Sequence, residues 1–124
     1  MKDIPPKPTD AELSILQVLW RLGQATVKEV QEALGEETGY TTALKFLQIM
    51  TEKGLVRRNE SQRAHVYEAV TSEHETQQQL ITGLLKKAFG GSSSKLVMQA
   101  LASKRASPRE LAEIRRLIEQ LSKD

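Results

Sequence analysis

Residues 40–70 read YTTALKFLQIMTEKGLVRRNESQRAHVYEAV, and the period of the apolar side chains changes inside this stretch. Up to Lys53 the spacing is helical. At about 100° per residue, Ala43, Phe46, Leu47 and Met50 fall on one side, with Tyr40 at its edge. Thr38, Thr41, Lys45, Gln48 and Glu52 fall on the other, flanked by Thr42 and Leu44. Gly54 is placed to end this helix. Beyond it, Leu55-Val56-Arg57-Arg58 and His65-Val66-Tyr67-Glu68-Ala69-Val70 bracket the polar run Asn59-Glu60-Ser61-Gln62-Arg63. β-Branched and aromatic residues on either side of a polar turn predict a two-stranded hairpin.

Upstream, Thr26-Val27-Lys28-Glu29 has the form of a capping box. In that motif a hydroxyl accepts the amide three residues on, and the carboxylate reaches back. It opens a short helix with Val27, Val30 and Leu34 inward, closed at Gly35 and followed by a polar turn over residues 36–39. Thr9-Asp10-Ala11-Glu12 is a second capping box. It starts a helix with Leu13, Leu16, Trp20 and Ile15, Leu19, Leu22 at helical spacing, ended by Gly23. Three of the four prolines lie in residues 1–8, which reads as an extended N-terminal arm.

Three helices and then a β-hairpin is the order of a winged helix-turn-helix. In that fold the third helix enters the DNA major groove and the hairpin reaches the backbone or minor groove. The polar side of residues 40–53 carries suitable groups. Thr41 and Thr42 can bond base edges or phosphates and touch thymine methyls, Gln48 can pair with adenine, and Lys45 can meet guanine or phosphate. On the hairpin side, Lys53, Arg57, Arg58 and Arg63 against Glu60 give a net +3 over residues 53–63. Four cations there fit backbone anchoring, with Arg63 at the tip the leading phosphate contact. An ordinary amphipathic surface helix and a solvated hairpin would show the same polarity, so the pattern alone leaves both readings open. Trp20 and Phe46 read as core residues, while Tyr40 either packs or touches a phosphate.

After Thr71 the chain returns to helical spacing. Ser72-Glu73-His74-Glu75 is a third capping box, and Leu80, Ile81, Leu84, Leu85 and Phe89 form one apolar stripe. Residues 90–94 are a flexible break, and Leu96, Val97, Ala100 and Leu101 mark a short helix. Ser107-Pro108-Arg109-Glu110 is a fourth box, with proline at the favoured first helical position. Leu111, Ile114, Ile118 and Leu121 then follow at a/d spacing, widened by Leu117. The expected architecture is mainly α: an arm over residues 1–8, a winged helix over 9–70, and three helices over 71–124. Three helices of this size are marginal alone. Their apolar set, Leu80, Ile81, Leu84, Leu85, Phe89, Leu96, Val97, Leu101, Leu111, Ile114 and Ile118, exceeds what one copy can cover. A twofold dimer would bury it; packing on the chain's own winged helix is the alternative.

Composition narrows the function. The 124 residues carry 18 Lys+Arg and 16 Asp+Glu, a net +2 that argues against a generic DNA-coating polycation. Residues 1–70 hold nine basic and ten acidic side chains, net −1, and residues 71–124 nine and six, net +3. The cations relevant to DNA are local, at Lys45 and residues 53–63. There is no Cys, which removes disulfides, thiolate metal sites and thiol catalysis. His65 and His74 have no ligand cluster around them, so neither a metal nor any other cofactor is expected. No Gly-rich phosphate loop, paired-carboxylate site or His-centred triad is present, so no enzyme is expected. No apolar run reaches membrane-spanning length, and MKDIPPKPTD lacks a signal peptide's apolar core, so the protein is expected to be cytoplasmic. Two readings remain: a DNA-binding regulator, and a winged-helix module that binds protein and no DNA.

Several stretches resemble the penicillinase-repressor family of BlaI/MecI/CopY-type regulators. They are Thr9-Asp10-Ala11-Glu12-Leu13-Ser14-Ile15-Leu16 with Val18-Leu19-Trp20, then Tyr40-Thr41-Thr42-Ala43-Leu44-Lys45, and Glu52-Lys53-Gly54-Leu55-Val56. Gln62-Arg63-Ala64-His65-Val66-Tyr67 resembles that family's wing. Gly90-Gly91-Ser92 and residues 111–118, LAEIRRLI, extend the likeness over nearly the whole chain. The resemblance implies a bacterial transcriptional repressor with a C-terminal dimerisation domain, bound as a homodimer to a pseudo-palindromic operator. It places Thr42 at a base-contacting threonine. It places Leu44 where the best-known members carry a polar or basic side chain; leucine cannot hydrogen-bond there but can pack on a thymine methyl. Some members are inactivated by a sensor protease that cuts an Asn-Phe bond. Gln99-Ala100 stands in that place here, which argues against cleavage-based induction. The copper-sensing members' cysteine motif is absent.

Overall fold

The computed structural model describes residues 6–61 and 63–123. Most of the expected arm, residues 1–5, therefore lies outside the described residues. The chain divides into two compact units, Met1–Ile81 and Thr82–Asp124.

The first unit opens with α1 (Asp10–Leu22). Its capping box forms as the sequence demands: Thr9 Oγ1 accepts the Glu12 N–H at 3.2 Å and Glu12 Oε1 accepts the Thr9 N–H at 2.9 Å. After Gly23 come β1 (Ala25–Thr26), α2 (Val27–Leu34) and α3 (Tyr40–Lys53). Gly54, at φ 83°, takes the left-handed conformation that turns the chain out of α3, a position where a Cβ would be strained. Its N–H returns to the Met50 and Thr51 carbonyls. Strands β2 (Val56–Asn59) and β3 (Val66–Ala69) then form the hairpin.

The sheet has three strands rather than the two expected. Its order is β1-β3-β2, all antiparallel, with Ala25 opposite Tyr67, Thr26 opposite Val66, and Arg58 opposite Tyr67. The extra strand is two residues long, too short to show a period-2 pattern. Thr26 both ends it and caps α2, accepting the Glu29 N–H at 3.2 Å.

The core is shared by the three helices and the sheet. Ile15, Leu16 and Leu19 of α1, Val30 of α2, Ala43, Leu47 and Met50 of α3, then Leu55, Val56 and Tyr67 are all buried. Each large aliphatic side chain placed there is worth roughly 1.5–3 kcal/mol of transfer free energy. Trp20 and Phe46 pack against this core from its edge. The Trp20 indole N–H donates to the Thr71 carbonyl at 3.0 Å, tying α1 to the segment leaving the sheet.

Helix α4 (Glu73–Ala88) starts from the Ser72–Glu75 capping box, and its Thr76 is buried, with its hydroxyl 3.2 Å from that of Thr71. The first turns of α4 thus pack with the winged helix, and the division between units falls within the helix.

The second unit holds the end of α4 with α5 (Ser93–Ser103) and α6 (Pro108–Ser122). Ser92 caps α5, and the Ser107–Glu110 box caps α6 behind Pro108. Among residues 82–123 none is buried. Leu85, Phe89, Leu96, Leu101 and Ile114 are half-buried, whereas Leu84, Val97, Met98, Leu111, Leu117, Ile118 and Leu121 are exposed.

Candidate nucleic-acid interface

Helix α3 has two faces because its sequence does. Ala43, Leu47 and Met50 are fully buried, while Thr41, Thr42, Lys45 and Gln48 are exposed on the other side. Leu44 is half-buried and packs against the core from the edge of that outer face. Tyr40 is 53% exposed. The first turn of α3 carries no acidic residue, so the positive end of its dipole is not neutralised locally.

The hairpin cations divide into two kinds. Arg57 Nε lies 2.6 Å from Glu68 Oε1, across the β2–β3 ladder. Arg58 pairs with Glu60 and also meets the Tyr67 hydroxyl. The Tyr67 hydrogen bond and the Glu60 charge raise the Arg58 pKa further above its ordinary value. Arg63 is exposed, and among the described residues it has no ion-pair partner; the same holds for Lys45 and Lys28. Gln62, beside Arg63, lies outside the described residues.

Lys53, one of the four cations whose grouping fits backbone anchoring, is engaged within the fold. Its ammonium reaches Glu12 Oε2 at 2.8 Å, and Glu12 is only 2% exposed. A buried carboxylate needs a partner, and the end of α3 supplies it. No local pattern links residues so far apart in the chain.

Between the start of α2, α3 and the hairpin lies a cleft of about 630 Å³. Its walls bring together Leu44, Gln48, Arg58 and Arg63 from the expected set. They add Thr26, Val27, Lys28, Tyr40, Ala64, His65 and Tyr67. Lys28 was not among the expected site residues; only the folding of α2 against the hairpin places it there. A second hollow, about 850 Å³, shares Gln48, Arg58 and Tyr67 with the first and takes in Arg57, Glu52, Glu60 and Val70. Thr41, Thr42 and Lys45 line neither; they stand on the open face of α3.

The expected dimerisation residues sit on α4, α5 and α6, except Phe89, which directly follows the last residue of α4. Leu80, Leu85, Phe89, Leu96, Leu101 and Ile114 are half-buried, and Ile81, Leu84, Val97, Leu111 and Ile118 are exposed. Among the described residues no group of three or more His, Cys, Asp or Glu could hold a metal ion. Among them, too, no helix is long and apolar enough to cross a membrane.

The family model described as penicillinase repressor matches residues 8–120. The chain is 24% identical to the penicillinase repressor of Bacillus licheniformis over 122 residues, 97% of this chain and 94% of that protein. It is 35% identical to the transcriptional regulator BlaI of Mycobacterium tuberculosis over 83 residues, 64% of this chain and 57% of that regulator. A solved MarR family transcriptional regulator from Silicibacter pomeroyi aligns at a TM-score of 0.44 and 17% identity, over 90% of this chain and 67% of that one.

Proposed function

The chain belongs to the penicillinase repressor family of transcriptional regulators, and from that premise we propose that it is a bacterial repressor that occupies a pseudo-palindromic operator as a homodimer. The observation that carries this reading is the outer face of α3. Thr41, Thr42, Lys45 and Gln48 stand exposed there, beside a cleft walled by Arg58 and Arg63. Short hydroxyls, one amide and one ammonium are the groups that read base edges in a major groove. Arg57, Arg58 and Arg63 on the hairpin serve the phosphates. Leu44, at the rim of the face, packs on a thymine methyl.

The winged helix of residues 9–70 binds DNA, and residues 71–124 join two copies. The lack of any buried residue in 82–123, with Leu111, Leu117, Ile118 and Leu121 exposed along α6, supports a partner that covers them. Twofold symmetry then sets two α3 helices on successive half-sites. Repression needs no bond chemistry and no cofactor: the bound dimer excludes polymerase from the cytoplasmic DNA until a signal weakens dimer or operator contacts. Gln99 and Ala100 lie inside α5. A sensor protease would have to unwind that helix to cut there, which argues against proteolytic induction at this bond.

A winged-helix module that binds only protein is the competing reading, favoured by the exposed Glu36-Glu37 pair and the −1 charge of residues 1–70. A mobility-shift titration on the DNA upstream of its own gene, repeated across salt concentrations, separates the two. Operator binding gives a steep linear fall of log affinity with log salt. No shift at low salt contradicts it.

A further inference from the structure

The geometry points to a seat for one DNA backbone phosphate in the cleft between the start of α2, the start of α3 and the hairpin, held by Lys28, Tyr40 and Arg63. This rests on the operator-binding reading and adds what that reading lacks, a fixed point that sets the register of α3 on the duplex.

Charge is the first reason. The walls carry Lys28, Arg58 and Arg63, and no carboxylate is among the described residues lining the cleft. That single sign stands out because residues 1–70 as a whole are net −1. A concave wall of one sign focuses potential on an anion. The nearest acid of α2, Glu29, is turned back onto the Thr26 N–H at 2.9 Å by the capping box.

Freedom to close is the second. Arg58 is already held by Glu60 and Tyr67, and the Glu60 carboxylate offsets its charge, so the free positive charge of the cleft is that of Lys28 and Arg63. Lys28 and Arg63 are exposed and, among the described residues, have no ion-pair partner. Lys28 comes from α2 and Arg63 from the hairpin, and both line the cleft. The exposed Tyr40 carries its phenol hydroxyl as a third donor. Val27 and Leu44 also line the cleft, and apolar lining suits the deoxyribose that accompanies a backbone phosphate better than a bare inorganic ion.

Position is the third. Tyr40 opens α3, and the base-facing Thr41 and Thr42 follow it directly. A phosphate pinned at Tyr40 therefore fixes where those hydroxyls meet the base edges.

The test uses the full chain on its upstream DNA and on a random duplex, measured by fluorescence anisotropy over a range of salt. Lys28→Gln is expected to weaken both duplexes about fivefold at ~0.15 M salt and to lower the salt slope by about 0.9, the effect of one released counterion. The operator-to-random ratio stays unchanged. Tyr40→Phe is expected to weaken both in the same sense with little change of slope. Replacing operator phosphates one at a time by neutral methylphosphonates is expected to find one position per half-site where the loss is clearly smaller in Lys28→Gln than in the unaltered protein. Losses that add at every position, or an unchanged slope in Lys28→Gln, overturn the seat while leaving operator binding intact. Absence of any salt-dependent DNA binding in the unaltered protein overturns the operator reading and the seat with it. Inorganic phosphate, titrated without DNA and followed by amide shifts, separates the two sources of anion. Saturable shifts at Lys28 and Arg63 together with an unchanged DNA slope make the cleft a small-anion site and overturn the assignment.

Discussion

Lys53 Nζ lies 2.8 Å from Glu12 Oε2, joining the last residue of α3 to the first turn of α1. The other carboxylate oxygen accepts the Thr9 N–H at 2.9 Å. One buried side chain therefore caps one helix and anchors the end of another, the helix that carries the candidate base-reading face.

Removing the cation should cost stability. Lys53→Met leaves the Glu12 carboxylate buried without its partner, and about 1–3 kcal/mol is expected. The figure stays below the ~3–5 kcal/mol of a fully enclosed pair because the Lys53 side chain is 37% exposed. Glu12→Gln keeps an oxygen for the Thr9 N–H and is expected to cost less, about 1–2 kcal/mol. Urea unfolding with an unchanged m-value measures both. Midpoints equal to that of the unaltered protein would show that the pair adds nothing.

The same pair sets a pH dependence. Burial pushes the Glu12 carboxyl up, but the hydrogen bond from Lys53, the Thr9 N–H and the ammonium charge outweigh it and hold its pKa below the ordinary value. A folded-state pKa below the unfolded one, about 4.3, gives stability that is fully present above the unfolded value. That stability is lost as pH falls through the folded value. Unfolding free energy should therefore drop more steeply in acid for the unaltered protein than for Glu12→Gln. The two curves should converge once the carboxyl is protonated in both states. Parallel curves down to strong acid would contradict this.

Much of the fold could be read from residues within one turn of each other. All four capping boxes, at Thr9, Thr26, Ser72 and Ser107, form with both of their hydrogen bonds. Each spans only four residues, so spacing alone specifies it. The buried face of α3 follows from helical periodicity in the same way, through Ala43, Leu47 and Met50. What escaped the sequence depends on long-range packing. β1 has two residues and exists only because Tyr67 and Val66 pair with it. Lys53 looks like one more hairpin cation until α1 brings Glu12 beneath it. Lys28 reads as solvated surface until α2 is set against the hairpin.

The two kinds of DNA contact should separate under mutation. Arg63→Ala is expected to weaken binding to operator and random DNA alike. Thr42→Ala or Gln48→Ala is expected to cost about 1–3 kcal/mol on the operator and to relax discrimination at one base pair. Competition titrations with single-base operator variants measure this. Equal losses on specific and random DNA for all three substitutions would remove α3 as the reader.

The exposed stripe on α6 should behave as an interface. Ile118 and Leu121 are 54% and 65% exposed, so neither holds the fold of a single copy. Ile118→Asp is expected to convert a sedimenting dimer to monomer at micromolar concentration while the winged helix keeps its thermal transition. Operator affinity should fall steeply, because two half-sites are no longer linked. A dimer that persists in Ile118→Asp and also in Leu117→Asp would place the interface elsewhere.

Whether a twofold dimer reads two half-sites through α3 is decided by hydroxyl-radical footprinting on the upstream DNA. A dimer of this kind gives symmetric protections centred one helical turn apart, about 10–10.5 base pairs, or a multiple of it, all lost together in Ile118→Asp. A single unpaired footprint, or no protection at salt low enough for nonspecific binding, would contradict it.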